Sequence, residues 1–201
     1  MRLAFDRFTV VLDACVLFPM FTRDVLLTFA DHGFYNPRWS DRIHAEWMAN
    51  LISRLDERGT TGDAAARIDS VRRAIDRAFP DALVQNVPPD SQAVLPVDPK
   101  DRHVAMTAIA TRADAIVIFN LKDFAADHLG RELAIEVIHP DSFVRDLIDL
   151  NEKRAVGAFR ELRARKRNPP WESDELIERA RRAGLLQVAA WLEVEDVRRL
   201  L

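Results

Sequence analysis

With a single cysteine, Cys15, among 201 residues, the chain has no internal pair from which to build a disulfide framework. No Cys/His spacing suggests a zinc site, and the five histidines (His32, His44, His103, His128 and His139) are scattered. No apolar stretch is long enough to span a bilayer, which argues against a membrane protein. A signal-peptide core is missing from the opening MRLAFDRFTVVLD, because Asp6 and Arg7 interrupt it; the expectation is a cytoplasmic protein. Excess positive charge is lacking too. A formal net charge of −3 argues against non-specific nucleic-acid binding, while leaving room for an acidic centre with a local basic rim. Internal repeats and low-complexity tracts are also absent.

What is present is 48% hydrophobic and 30% charged, the mixture of a soluble globular protein long enough for one substantial core and a small appendage. Apolar and β-branched runs predict strands at 8–13, 82–87, 115–119 and 133–138. Between them the 3.6-residue period predicts helices at 21–32, 41–57, 63–79, 99–112 and 141–150, the last opening with Asp141. Gly33 is expected to close the first helix and Ser40 to cap the second. The second should bury Ile43, Trp47, Leu51 and Leu55; the third should bury Ile68, Val71, Ile75 and Phe79. Asn36, Pro37 and Ser40 read as a loop, GTTGD at 59–63 as a turn, and the proline-rich 80–99 as a loop around one short strand.

Past residue 150 the pattern is helical only. A basic helix at 152–167 precedes the rigid break NPPW (168–171). Ser173 can cap a helix ending near Gly184, and one or two amphipathic helices follow. Apolar stripes (Leu176, Ile177, Ala180; Leu185, Val188, Trp191, Leu192) are expected to pack on the preceding domain or to form a partner surface. The division is an α/β domain at 1–150 and a helical extension at 151–201. Residues 152–167 carry seven cations against Glu152 and Glu161, which is either a solvated helix face or a phosphate-contacting one.

Four acids fall where an α/β chain gathers them. Asp13 ends the first strand, and Asp123 follows the strand at 115–119 with Asn120 and Lys122 between. Asp101 lies in the first turn of a helix, on the side of Val104, Ala105 and Ala108. In D98-P-K-D101, Asp98 suits the N-cap and Pro99 the first helical position, so Asp101 at N3 is assigned to a site and Asp98 to structure, with Asp98 as the fallback. Glu46 borders the apolar arc of its helix, where Arg42 offers an ordinary i−4 ion pair. Each acid has a structural alternative: a loop cap for Asp13, an Asx turn for Asp123. Strand ends and helix starts share one edge of a doubly wound sheet. Carboxylates gathered there repel by about 4 kcal/mol per pair at roughly 4 Å and an effective dielectric near 20, which a divalent cation would offset.

Taken as a set, Asp13 in VLDACVL, Glu46 in HAEWMANL, Asp101 in DRHVAMTAIA and Asp123 in NLKDF resemble the PIN-domain ribonucleases, particularly the toxins of VapBC-type toxin–antitoxin pairs, over residues 8–143. The resemblance implies a PIN-like, Rossmann-like three-layer α/β fold with a central, mainly parallel sheet. It implies an Mg²⁺- or Mn²⁺-dependent endoribonuclease that cleaves RNA with metal-activated water. Asp13, Asp101 and Asp123 would be metal ligands; Glu46 would be a ligand directly or through water, or would orient the water. Arg102, His103, Asn120, Lys122 and Arg23, with Arg38, flank these acids as candidate contacts to substrate. Toxins of this type pair with themselves and with an antitoxin, so a homodimer and a cognate antitoxin over the acidic pocket are expected.

Two departures stand out. Ile118 occupies a place where the family often carries Thr or Ser, and the chain is longer than the compact toxins, as in a branch with a C-terminal helical domain. A haloacid-dehalogenase-like phosphatase is rejected, because Cys15 stands where its second Asp would be. A receiver domain would need paired acids that are absent. The remaining alternative is a PIN-like module that has lost catalysis and binds RNA or protein.

Overall fold

The computed structural model describes residues 8–57, 63–167 and 169–201. Five strands, β1 (Thr9–Leu12), β2 (Asn36–Ser40), β3 (Leu83–Val84), β4 (Ala115–Val117) and β5 (Glu136–Ile138), form one sheet in the order β3-β2-β1-β4-β5. Every pairing is parallel. β1 is central because TVVL is β-branched and buried from Val10 onward, as a strand covered on both faces must be. The chain builds outward from β1 through β2 to β3, then returns to lay β4 and β5 on the other side. The reversal leaves a crevice at the carboxyl ends of β1 and β4, where doubly wound sheets bind their ligands.

Residues 36–40, expected as a loop, are β2. Pro37 misleads because it cannot donate to a ladder. Asn36 N–H bonds Phe8 on the β1 side (3.0 Å), so the neighbouring Pro37 nitrogen faces β3, which pairs only from Trp39 onward. The missing donor therefore breaks no bond.

The helices follow the periodicity, with shifted ends. A short α1 (Ala14–Leu17) precedes α2 (Met20–Asp31), which Gly33 closes at φ 76° by donating to Ala30. α3 (Asp41–Glu57) starts on Ser40, whose Oγ accepts from Ile43 N–H at 3.3 Å. α4 (Ala64–Ala78) starts on Asp63; the rest of the expected 59–63 turn lies outside the described residues. On α3, Ile43 and Trp47 are buried while Leu51 and Leu55 are half-buried. On α4, Val71 is 37% exposed rather than buried, and faces a groove between α2 and α4. The two helices are joined by a buried polar network. Trp47 Nε1–H donates to His44 Nδ1 (2.9 Å), so His44 Nε2 carries the proton facing Asp76 (3.0 Å), which also accepts from Trp39.

α5 (Arg102–Thr111) begins three residues later than 99, because Asp98 and Pro99 form a turn of their own. α6 (Ala126–Leu133) was not foreseen: it starts from Ala125 at φ 46° and contains Gly130, so no capping signal marks it. It takes over the start of the strand expected at 133–138. α7 (Pro140–Leu150) opens with Pro140 itself.

The extension is α8 (Glu152–Ala164), α9 (Ser173–Arg182), α10 (Leu186–Leu192) and α11 (Glu195–Leu200). Ser173 is the first residue of α9 rather than its cap, and its Oγ accepts from Arg163 (3.3 Å). Of the expected break at 168–171, Asn168 lies outside the described residues. These helices share the core of the α/β part: Phe159 of α8 packs edge-on to Phe29 of α2 at 5.3 Å and lies 5.8 Å from Trp191 of α10. Among the described residues no helix is long and apolar enough to cross a membrane.

One buried carboxylate pins the extension. Asp141, 6% exposed in the first turn of α7, accepts the Gln187 N–H (2.9 Å) and the Val188 N–H (3.1 Å) at the start of α10. An Asp141→Ala change strands both donors and is expected to lower stability by about 1–3 kcal/mol, read by urea denaturation. Hydrogen exchange should speed up at α10 before it does in the sheet.

Candidate active site

Asp13 sits one residue beyond β1, where its backbone N–H donates across to the Val117 carbonyl of β4 (3.2 Å). It is therefore fixed at the crevice between the two strands. Its side chain, 6% exposed, caps α1: Oδ2 accepts from Cys15 N–H at 2.8 Å. The Cys15 thiol also hydrogen-bonds this carboxylate. Asp123 lies in the 3₁₀ turn Leu121–Phe124 that follows β4, and its carbonyl accepts from Asp98 N–H (3.0 Å). That bond draws the turn ahead of α5 against the turn after β4.

Asp101 is the N-cap of α5 rather than its third residue, yet its side chain makes no capping bond. Asp98 holds the preceding turn instead, accepting from Lys100 N–H at 2.9 Å, so the Asp101 carboxylate is left for the crevice. Its pKa rises from the usual carboxylate range to about 6. Burial is the largest cause, followed by the negative charges of Asp13, Asp98, Asp123 and Glu46. The other three sequence-designated acids thus all act on Asp101, although they come from a strand end, a helix flank and a turn.

Glu46 stands at the rim. Arg42 Nε lies 3.2 Å from its Oε1, and His103 Nε2 lies 3.1 Å from its Oε2, at ion-pair distance without hydrogen-bond alignment. The other His103 nitrogen, Nδ1, faces the Lys100 carbonyl at 2.9 Å. Burial lowers the His103 pKa, and the Glu46 charge opposes that. Sequence reasoning treated Arg42 only as an ion-pair partner; it also donates to the Lys100 carbonyl (3.4 Å), bridging α3 to the turn that carries Asp101. The signal for it was the four-residue spacing to Glu46.

The other flanking residues divide in two. Asn120 donates to the Asp123 carboxylate, and Lys122 is exposed beside it. Arg102, by contrast, is spent on the Val97 (3.1 Å) and Leu95 (3.4 Å) carbonyls, holding the loop before α5. Arg23 is buried, bonded to the Leu17 carbonyl at 3.0 Å and lying 5.3 Å over the Trp47 ring. Arg38 bonds the neighbouring Pro37 carbonyl. Ile118 is buried, so no hydroxyl faces the crevice from that position. Cys15 forms part of the floor, where Phe119 N–H meets its Sγ at 3.4 Å; burial and Asp13 raise its pKa, keeping it a thiol.

Among the described residues no three His, Cys, Asp or Glu side chains converge closely enough to hold a metal ion as they stand. The donor set still suits a hard cation. It is all carboxylate oxygen, its charges already repel enough to raise Asp101, and Mg²⁺ typically takes one or two carboxylates with water filling its other positions.

The site and sheet define a class: a doubly wound α/β protein with a carboxylate-lined crevice at its topological switch point. Comparison of the sequence with protein families narrows this. The PIN-domain model matches residues 9–122, more than half of the chain, and a model described as the VapC50 C-terminal domain matches 140–194. The chain belongs to the PIN-domain family. It is 35% identical over 79 residues to "Putative ribonuclease VapC50" of Mycobacterium tuberculosis (strain ATCC 25618 / H37Rv), covering 39% of this chain and 46% of that protein. The matched stretch is thus less than half of the relative's length. No solved structure matches.

The raised Asp101 pKa has a definite sign. Its charged form is disfavoured in the fold, so this residue's contribution to stability falls as pH rises from about 4 through about 6. Without divalent cations, Asp101→Asn should therefore be more stable than the unsubstituted protein at pH 7.5. After discounting for solvent screening of a part-exposed group the gain is about 1 kcal/mol, or about 2–4 °C in Tm. At pH 4.5 the difference should shrink. Thermal melts at both pH values check this, and a lower Tm for the variant at pH 7.5 would contradict it.

Proposed function

We propose that this chain is a divalent-cation-dependent endoribonuclease, Mg²⁺ or Mn²⁺ being the cation, and the toxin of a type II toxin–antitoxin pair. The observation that carries the reading is the Asp101 carboxyl at the switch point, raised by burial and by the negative charges of Asp13, Asp98, Asp123 and Glu46. Charge gathered in this way destabilises the protein unless the site binds positive charge. The PIN-domain membership and the word ribonuclease in the relative's name support the substrate class.

Asp13, Asp101 and Asp123 would hold the cation, with Glu46 joining them directly or through water. When bound, it supplies charge neutralisation and Lewis acidity toward a phosphodiester. If not a ligand, Glu46 would orient the attacking water, with Arg42 Nε at one of its oxygens and His103 Nε2 at ion-pair distance from the other. Lys122, exposed beside Asp123, meets the phosphate's negative charge, and Asn120 fixes the Asp123 carboxylate. Arg102 and Arg23 support the site without touching substrate, since their guanidinium groups are bonded to the chain's own carbonyls.

Residues 1–150 form the catalytic unit in this reading and 151–201 its helical extension. The protein acts in the cytoplasm as a homodimer, with a cognate antitoxin covering the acidic crevice.

Purified protein should cleave single-stranded RNA with Mg²⁺ or Mn²⁺ and lose activity in EDTA. Asp13→Asn should slow cleavage by about a hundredfold or more. Equal rates for the variant and the unsubstituted protein would leave the crevice a binding surface only, the reading of a PIN-like module without catalysis.

A further inference from the structure

The acidic crevice leaves the basic stretch of the extension unused. Arg160, Arg163, Lys166 and Arg167 line a cavity of about 480 Å³ with Trp171 and Glu172. Its frame is fixed. Arg163 Nε donates to the Trp171 carbonyl (2.9 Å), and its Nη1 donates to Ser173 Oγ and to the Leu201 carbonyl. Lys166 Nζ sits 2.5 Å from Asp24 and 5.1 Å over the Trp171 ring, which also takes the Arg179 guanidinium at 4.3 Å.

Arg160 and Arg167 differ from these. Both are exposed, and neither side chain has a partner among the described residues. Arg67, Arg77 and Arg112 are also exposed without an acid partner among the described residues, but Arg160 and Arg167 border a cavity that holds two further cations. Two free guanidinium groups around a rigid cationic cavity form a ready acceptor for phosphate.

The cavity is linked to the start of α2. Trp171 lies 5.9 Å from Phe21, in the first turn of α2, and α2 begins just past α1, which Asp13 caps. A protein partner fits less well: the large apolar group here, Trp171, is 7% exposed and already covered by Phe21, Lys166 and Arg179, so no aromatic anchor remains to bury.

We propose that the cavity framed by Arg160, Arg163, Lys166 and Arg167 is a phosphate-binding subsite that holds the RNA backbone flanking the bond presented to the carboxylates. The inference rests on the ribonuclease reading and extends it to the helical extension. Arg160 and Arg167 make the direct contacts; Arg163 and Lys166, ion-paired with Glu172 and Asp24, hold the frame of the cavity.

The test reads binding apart from cleavage. Fluorescence anisotropy of a labelled single-stranded RNA, in EDTA, is followed against salt for the full chain and for R160Q/R167Q. Loss of two phosphate contacts on a single strand should flatten the slope of log K against log salt by about 1.4 and weaken binding about tenfold at low salt. The R73Q/R145Q variant removes the same charge from α4 and α7, and should bind as the unsubstituted protein does. Equal affinity and slope for R160Q/R167Q would overturn the subsite, as would an equal loss in R73Q/R145Q. A loss confined to a poly-glutamate probe, with RNA binding intact, would assign the cavity to a protein partner and also overturn it. Failure to cleave RNA, with this binding pattern intact, would instead count against the nuclease reading alone.

Discussion

The backbone hydrogen bond from Asp13 to Val117 joins the ends of two parallel strands that the chain reaches more than a hundred residues apart. Around that junction the sheet reverses its direction of growth, and the crevice so formed brings a strand end, a turn and a helix start together. A parallel sheet buried on both faces needs long apolar runs, and TVVL and AIV supply them. The polar groups that end those runs have nowhere to go but the edge. The gathering of acids is thus a consequence of sheet topology, and its cost falls on Asp101, whose charged form burial and the neighbouring charges disfavour.

That packing is shared between the α/β layers and the extension. Phe29 meets Phe159, Trp191 completes the same cluster, and Asp141 supplies the missing acceptors at the start of α10. Removing the C-terminal helices would expose the apolar face of α2 and α7 that they cover. Buried polar groups within this core are answered: His44 is locked between Trp47 and Asp76, and its tautomer is set by the indole, which can only donate. The extension is therefore held by a core it shares with the α/β layers.

Charge is segregated within a chain of nearly balanced composition. Acids dominate the crevice, while Arg23 and Arg102, which flank those acids in sequence, are turned inward onto carbonyls. Arg42 and His103 come from different helices to meet Glu46. Sequence proximity to an acid was a poor guide to which cation faces it, because helix and strand geometry point neighbouring side chains in different directions.

The sequence by itself determined the class of fold and singled out four acids, three of which the fold brings to bear on Asp101. Periodicity two and 3.6 mark strands and helices, and a carboxylate ending a buried strand has few structural excuses. It also marked Ser40 and Gly33 as helix boundaries, since capping is local chemistry. Tertiary structure decided what no local pattern encodes. Pro37 sits inside a strand because its missing donor faces an unpaired stretch, α6 starts without any cap, and Asp101 rather than Asp98 is the N-cap. It also decided that Arg23 is a buried support, that Arg102 is half-buried and bonded to carbonyls, and that Arg160 and Arg167 have no side-chain partner among the described residues. Partners far apart in sequence fix each of these outcomes, and a side chain's neighbours across the fold are set only once the layers have packed.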